Sequence, residues 1–122
     1  MLDVLVFDDD LVHRTGFLAQ VDARFVYRAH ADQAVAVVRQ LRPDVVLMDY
    51  SMGAHLTGAE AVADLRGHFD AHTLPIIGIS SEMRCNHAMI LAGANDAVAK
   101  AVLPHRLPQL LEGLASAGQG EA

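Results

Sequence analysis

The 122-residue chain has one cysteine (Cys85), one lysine (Lys100) and no tryptophan. A lone cysteine excludes an internal disulfide and a cysteine zinc cluster, so a reducing cytoplasm is the simplest setting. No apolar run approaches the roughly 20 residues that a membrane-spanning helix needs, and the N-terminus lacks the basic stretch and apolar core of a signal peptide. No membrane partner is expected. Basic residues are few, 9 against 15 acidic ones, and scattered along a chain of net charge -6. That distribution speaks against direct nucleic-acid binding. Apolar residues, in contrast, make up 52% of the chain, enough for one domain with a true core over residues 1–116. The small, polar residues 117–122 read as a flexible tail.

Apolar runs recur along the chain at Leu2 to Phe7, Arg24 to Ala29, Asp44 to Met48, Leu74 to Ile79 and Asp96 to Ala99. Helical periodicity lies between them. Leu11, Phe17, Leu18 and Val21 suit one amphipathic helix, with Asp10 as its N-cap; Ala34, Val35, Val38 and Leu41 suit a second, ended by Pro43. A third opens at Gly58 and carries Ala61, Val62, Leu65 and Phe69. Met83 to Leu91 reads as a fourth, closed by Gly93. The fifth begins near Pro104 or Pro108, because Pro108 inside a helix begun at Pro104 loses a backbone bond. Five βα units imply a parallel sheet with helices on both faces.

The informative residues stand where the runs end. Asp8, Asp9 and Asp10 follow the first, and Asp49 follows the third. Functional groups of open α/β sheets gather at the carboxyl edge of the strands, so these acids would share a pocket if the two strands are neighbours. Close carboxylates repel one another, and such a pocket suits a hard cation held by oxygen. The only lysine ends the last run. Its uniqueness favours a specific role, since arginine's planar fork does not replace a point charge.

Four segments, VLVFDDD, PDVVLMD, PIIGISS and GANDAVAK, occur in an order and spacing that resemble a response-regulator receiver domain of two-component signalling. The resemblance covers the whole chain. It implies a flavodoxin-like, doubly wound (βα)5 fold with strand order 2-1-3-4-5. It also implies a phosphoacceptor at Asp49, Mg²⁺ held by Asp9, Asp49 and the Ser51 carbonyl, and Asp8 acting through water. Lys100 and Ser80 would contact the phosphoryl group, with Ser80 preferred to its neighbour Ser81. The implied partners are a histidine kinase or phosphotransfer protein and a downstream protein target, for a stand-alone cytoplasmic module that is a monomer or weak dimer. No turnover of an external substrate is expected. Two other readings compete: a haloacid-dehalogenase-like phosphatase using the Asp8-x-Asp10 pair with Asp8 as nucleophile, and a degenerate receiver acting as a phosphorylation-independent adaptor.

Several positions depart from the family pattern. Gly53 replaces a proline and Gly58 comes one residue late, which implies an insertion and a looser loop beside the metal. Ala101 replaces a proline after the lysine, so no cis peptide is expected there. Ala97 stands where many receivers carry a switching aromatic, and the helix from Glu82 to Gly93 is short, both of which weaken output through the face of helix 4, strand 5 and helix 5. Family positions that tune dephosphorylation fall on Ser51 and Glu82. Met48, Met52, Met83 and Met89 read as packing residues. The seven histidines show no metal-ligand spacing, and Arg14, Arg24, Arg28, Arg39 and Arg42 read as a solvated face.

Overall fold

Strands β1 (Asp3–Phe7), β2 (Arg24–Arg28), β3 (Val45–Met48), β4 (Ile76–Gly78) and β5 (Asp96–Ala97) pair in parallel, in the order β2-β1-β3-β4-β5. This is the flavodoxin-like order that the resemblance implies. The computed structural model describes residues 1–120, with side chains through Leu114. Of the tail expected over 117–122, residues 117–120 have a described backbone at the end of the last helix, and residues 121–122 lie outside the described residues.

Alternation along the strands divides the core between the two faces of the sheet. Leu5, Phe7, Val46, Met48 and Ile76 face α1 (Ala34–Leu41), α2 (Gly58–Arg66) and α3 (Met83–Ala92). Val4, Val6, Val45, Leu47, Ile77 and Ile79 face α4 (Leu103–Gly120) and the segment between β1 and β2. Because β1 and β3 are covered on both faces, they read as continuous apolar runs. The edge strand β2 instead alternates between exposed and half-buried positions.

The segment after β1 is not the expected amphipathic helix. It forms two short 3-10 turns, Leu11–His13 and Thr15–Leu18, separated by Arg14 at φ -132°, ψ 52°. Thr15 and Gly16 are poor helix formers at the point where the turns would have to join. Leu11, Leu18 and Val21 are nevertheless buried, so their burial is met without a regular helix. Asp10 makes no cap hydrogen bond and pairs with Arg14 at 3.0 Å. Asp8 does the capping.

The other helices start close to their sequence signals, although Phe69, expected on the third, lies beyond the end of α2 at Arg66. Arg42 ends α1 in the left-handed region at φ 49°, just before Pro43. Thr57 and Glu60 form a reciprocal capping box that starts α2, which fixes the entry of the chain after the β3–α2 loop. α4 begins at Leu103 and keeps Pro108 inside. The cost of an internal proline is about 3 kcal/mol, while burying each leucine returns about 1.5–3 kcal/mol. Leu103, Leu107 and Leu111 are all buried on one stripe of this helix, so burial outweighs the lost bond. Met48, Met52 and Met89 are core residues, but Met83 is 86% exposed at the first position of α3. Its expected packing role is incorrect, because the residue stands in solvent.

Arg66 closes the edge of the sheet opposite the acids. It donates to the carbonyls of Gly93, Phe69, Asp70 and Leu74 and to Asn95 Oδ1, over 2.8–3.3 Å. Asn95 Oδ1 also accepts the Ile76 N–H, and its Nδ2 donates to Ala71.

Candidate functional site

Register brings the acids together. Phe7 pairs with Met48, so the residues that follow, Asp8 and Asp49, leave neighbouring strands at the same level. The Asp49 N–H donates to the Phe7 carbonyl at 2.9 Å, which locks that level. Asp8 is fully buried and Asp49 nearly so, whereas Asp9 is exposed at the rim. Carboxylate oxygens of Asp8, Asp9 and Asp49 lie within 4.8 Å of one another.

Within this cluster the acids have different work. Asp8 Oδ1 accepts the N–H groups of Asp10 and Leu11, at 2.8 and 2.9 Å, and so caps the first 3-10 turn. Asp8 Oδ2 is buried and accepts no hydrogen bond of normal geometry. Its compensation is the Lys100 ammonium, 2.7 Å away as an ion pair. The same Nζ lies 3.5 Å from Asp49 Oδ2, while Asp49 Oδ1 accepts the Tyr50 N–H at 2.9 Å. Burial, followed by the negative charge of Asp8, pushes the Asp49 carboxyl up to about 6, against the opposing pull of Lys100 and Tyr50. Burial lowers the Lys100 ammonium, but Asp8 and Asp49 outweigh it and hold the group above its ordinary value. One cation is spread over two acids.

This geometry removes the basis of the dehalogenase-like reading. Both Asp8 oxygens are enclosed, and Asp10 is turned outward to Arg14, so the D-x-D pair does not converge on a reacting atom. Of the two hydroxyls, Ser80 is buried two residues beyond β4, and Ser81 is exposed. Ser80 Oγ accepts the Glu82 N–H at 3.1 Å. Ser51 is exposed at the start of the β3–α2 loop.

That loop is less free than the missing proline suggests. Gly53 has φ +72°, where proline's fixed negative φ is impossible and most residues are strained. Met52 is buried, and the Leu56 N–H donates to Asp32 Oδ1 at 3.0 Å. An anchor and a tie from the neighbouring loop replace proline's restriction. No cis peptide occurs among the described residues.

One supporting residue was not visible in the sequence. Asn86, on α3, accepts the Ser80 N–H through Oδ1 at 3.0 Å and donates through Nδ2 to the carbonyls of Ser80 and Val98, at 3.0 and 3.3 Å. It joins the strand end that carries Ser80 to the one that leads to Lys100. Nothing local signals this, because an asparagine in a helix is ordinarily solvated. Close packing adds a further constraint: a Cβ at Gly58 would lie 2.2 Å from the Asp49 carbonyl oxygen and 2.7 Å from Met89 Sδ. A Cβ at Gly78 would lie 2.9 Å from Met89 Cε.

Residues 4–112 match the family model of the response regulator receiver domain. The chain belongs to this family. This receiver is similar to a probable two-component response regulator/GGDEF domain protein, at 28% identity and TM-score 0.80 over 96% of the chain. It spans about half that protein's length, 50%. It is also similar to the receiver domain of the sensor histidine kinase PA1611 from Pseudomonas aeruginosa PAO1. That match has 25% identity and TM-score 0.78 over 93% of this chain and 96% of the other, which was solved with a magnesium ion in its active-site cleft. The Vibrio cholerae chemotaxis protein CheY4 shares the fold at 24% identity and TM-score 0.76, over 93% of this chain and 98% of its own. No curated protein matches the sequence. The receiver is thus a two-component signalling module with an acidic pocket of the composition such a phosphoacceptor site needs. None of its helices, among the described residues, is long and apolar enough to cross a membrane.

Proposed function

We propose that the domain receives a phosphoryl group on Asp49 from a histidine kinase or phosphotransfer protein and passes the change to a protein partner. The observation that carries this reading is the pocket itself: a buried acceptor carboxyl raised to about 6, held between a second buried acid and the Lys100 ammonium.

The residues present fit a hard divalent cation. Asp8 Oδ2 is buried with only the Lys100 ammonium against it, and the three carboxylates stand close enough to share one ion. Asp9, Asp49 and the Ser51 carbonyl would hold Mg²⁺, with Asp8 acting through a water, in keeping with the waters this ion retains. When bound, Mg²⁺ supplies positive charge against the acids and the equatorial phosphoryl oxygens.

The remaining chemistry belongs to the chain. An Asp49 oxygen attacks phosphorus as the P–N bond of the donor phosphohistidine breaks, and the imidazole leaves with its electron pair and takes up a proton. Lys100 offers its ammonium to the transferred group, and Ser80 Oγ donates a hydrogen bond to one of its oxygens. Positioning and charge provide the catalysis. Hydrolysis of the acyl phosphate by water returns the carboxylate and inorganic phosphate; no external substrate is turned over. The added negative charge draws Lys100 and Ser80 inward, and the change passes through protein contacts in the cytoplasm rather than through nucleic acid.

Acetyl phosphate with Mg²⁺, read by phosphate-affinity gel, should label wild type and leave Asp49→Asn unlabelled. Equal labelling of both would overturn the assignment. Absence of labelling in wild type, with a partner binding both proteins equally, would instead support an adaptor.

A further inference from the structure

The β2–α1 and β3–α2 loops together carry a second cluster outside the acidic pocket. His55 Nδ1 lies 2.6 Å from Asp32 Oδ2, and His30 Nδ1 lies 3.9 Å from the same oxygen. The two imidazoles stack at 3.9 Å between centroids with only 9° between their planes. Asp32 Oδ1 is already fixed by the Leu56 N–H. One ligand atom from each of the three residues falls within 4.8 Å of the others, although 25 positions separate the histidines in the chain.

A surface ion pair would need only one of these histidines. Two parallel imidazole planes cannot both contain one ion, so one ring must turn out of the stack to share a metal with the other. Two imidazoles and one carboxylate form an N/O donor set that suits zinc rather than magnesium. Three protein ligands leave a position for water, on the side of a solvent-open cleft lined by Ala54, Leu56 and Glu60.

We propose that His30, Asp32 and His55 form a zinc site that clamps the loop after the phosphoacceptor strand to the loop after β2. The site is separate from the acidic pocket and does not depend on its chemistry. Its occupancy stiffens the loop that contains Ser51 and Gly53, which the chain otherwise restrains through Met52 and Asp32.

The test is zinc titration of tag-free protein by isothermal calorimetry, with excess Mg²⁺ to occupy the acidic pocket. Wild type should bind one equivalent, and His30→Ala and His55→Ala should each weaken it by at least about tenfold, in line with the losses that follow ligand-shell mutation. Asp9→Asn should retain the affinity. The proposal is overturned if wild type binds no zinc, if the His30→Ala/His55→Ala double variant binds like wild type, or if only Asp9→Asn loses binding. Imidazole NMR signals give a readout independent of heat. His30 and His55 should move first on adding zinc; earlier shifts at His13, His68, His72, His87 or His105 would place the ion elsewhere.

Discussion

The two edges of the sheet both enclose polar groups, yet they treat them in opposite ways. At the amino edge, the Arg66 guanidinium finds four backbone carbonyls and Asn95, and Asn95 in turn satisfies Ile76 and Ala71. At the carboxyl edge, Asp8 Oδ2 lacks a well-formed hydrogen bond, Asp49 is pushed up to about 6, and one ammonium serves two acids. The first network is complete and holds the fold. The second is left short of positive charge, and stability is spent where a bound cation can supply what is missing.

Arg66→Ala should give the largest change in stability. It strands carbonyls of Gly93 and Leu74 that are otherwise satisfied, and a loss of about 2–4 kcal/mol is expected in urea unfolding. Labelling of Asp49 by acetyl phosphate should persist below the shifted midpoint. Arg66→Lys should recover little, since one ammonium cannot serve the same fork. If labelling fell in step with stability, the two edges would not be separable.

Asn86→Ala reaches the carboxyl edge through its support. A loss of about 1–2 kcal/mol is expected from the orphaned Ser80 and Val98 groups, with slower labelling and unchanged Mg²⁺ affinity. Stopped-flow labelling and Mg²⁺ titration separate these effects, and weakened Mg²⁺ binding would show that Asn86 organises the acids rather than Ser80 and Lys100.

The smallest effect has the opposite sign. Without divalent ions, Asp49→Asn should stabilise the protein by about 1 kcal/mol at pH 7, because it removes a buried charge facing Asp8. Asp49 titrates near 6 in the fold against an ordinary 3.8. The folded state therefore binds its proton more tightly, and the stability linked to that proton is fully present below 3.8 and is lost as pH rises through about 6. Asp32 and Asp70, held low first by backbone N–H donors from Leu56 and Thr73, act in the reverse sense. Their contribution is lost only at more acid pH. Thermal melts of wild type and variant in EDTA at pH 5 and pH 7 should therefore diverge at pH 7; parallel curves would contradict the strained state of Asp49.

The sequence carried the sheet well because β1, β3 and β4 are buried on both faces, which leaves unbroken apolar runs. The places of Asp8, Asp49 and Ser80 at strand ends were legible for the same reason, since each follows such a run, whereas Lys100 lies beyond the short, half-buried β5. Local reading failed where distant partners decide. Leu11, Phe17, Leu18 and Val21 have helical spacing, but Thr15 and Gly16 break the backbone between them. Asp10 looked like the cap, yet Asp8 lies closer to the orphan N–H groups. The histidines lacked ligand spacing in the chain because His30 and His55 meet only across two loops.

Met89 occupies the space that two absent side chains leave, at Gly58 and Gly78. Volume at these three positions is therefore shared, like a fixed sum divided among helix, strand and loop. The sharing is unequal. At Gly78 an added methyl meets chiefly Met89, a flexible side chain that a smaller residue could replace; at Gly58 it meets the carbonyl oxygen of Asp49 itself. The first position can be traded against Met89 during divergence, but the second is closed to every side chain, because it meets backbone where β3 leads into Asp49.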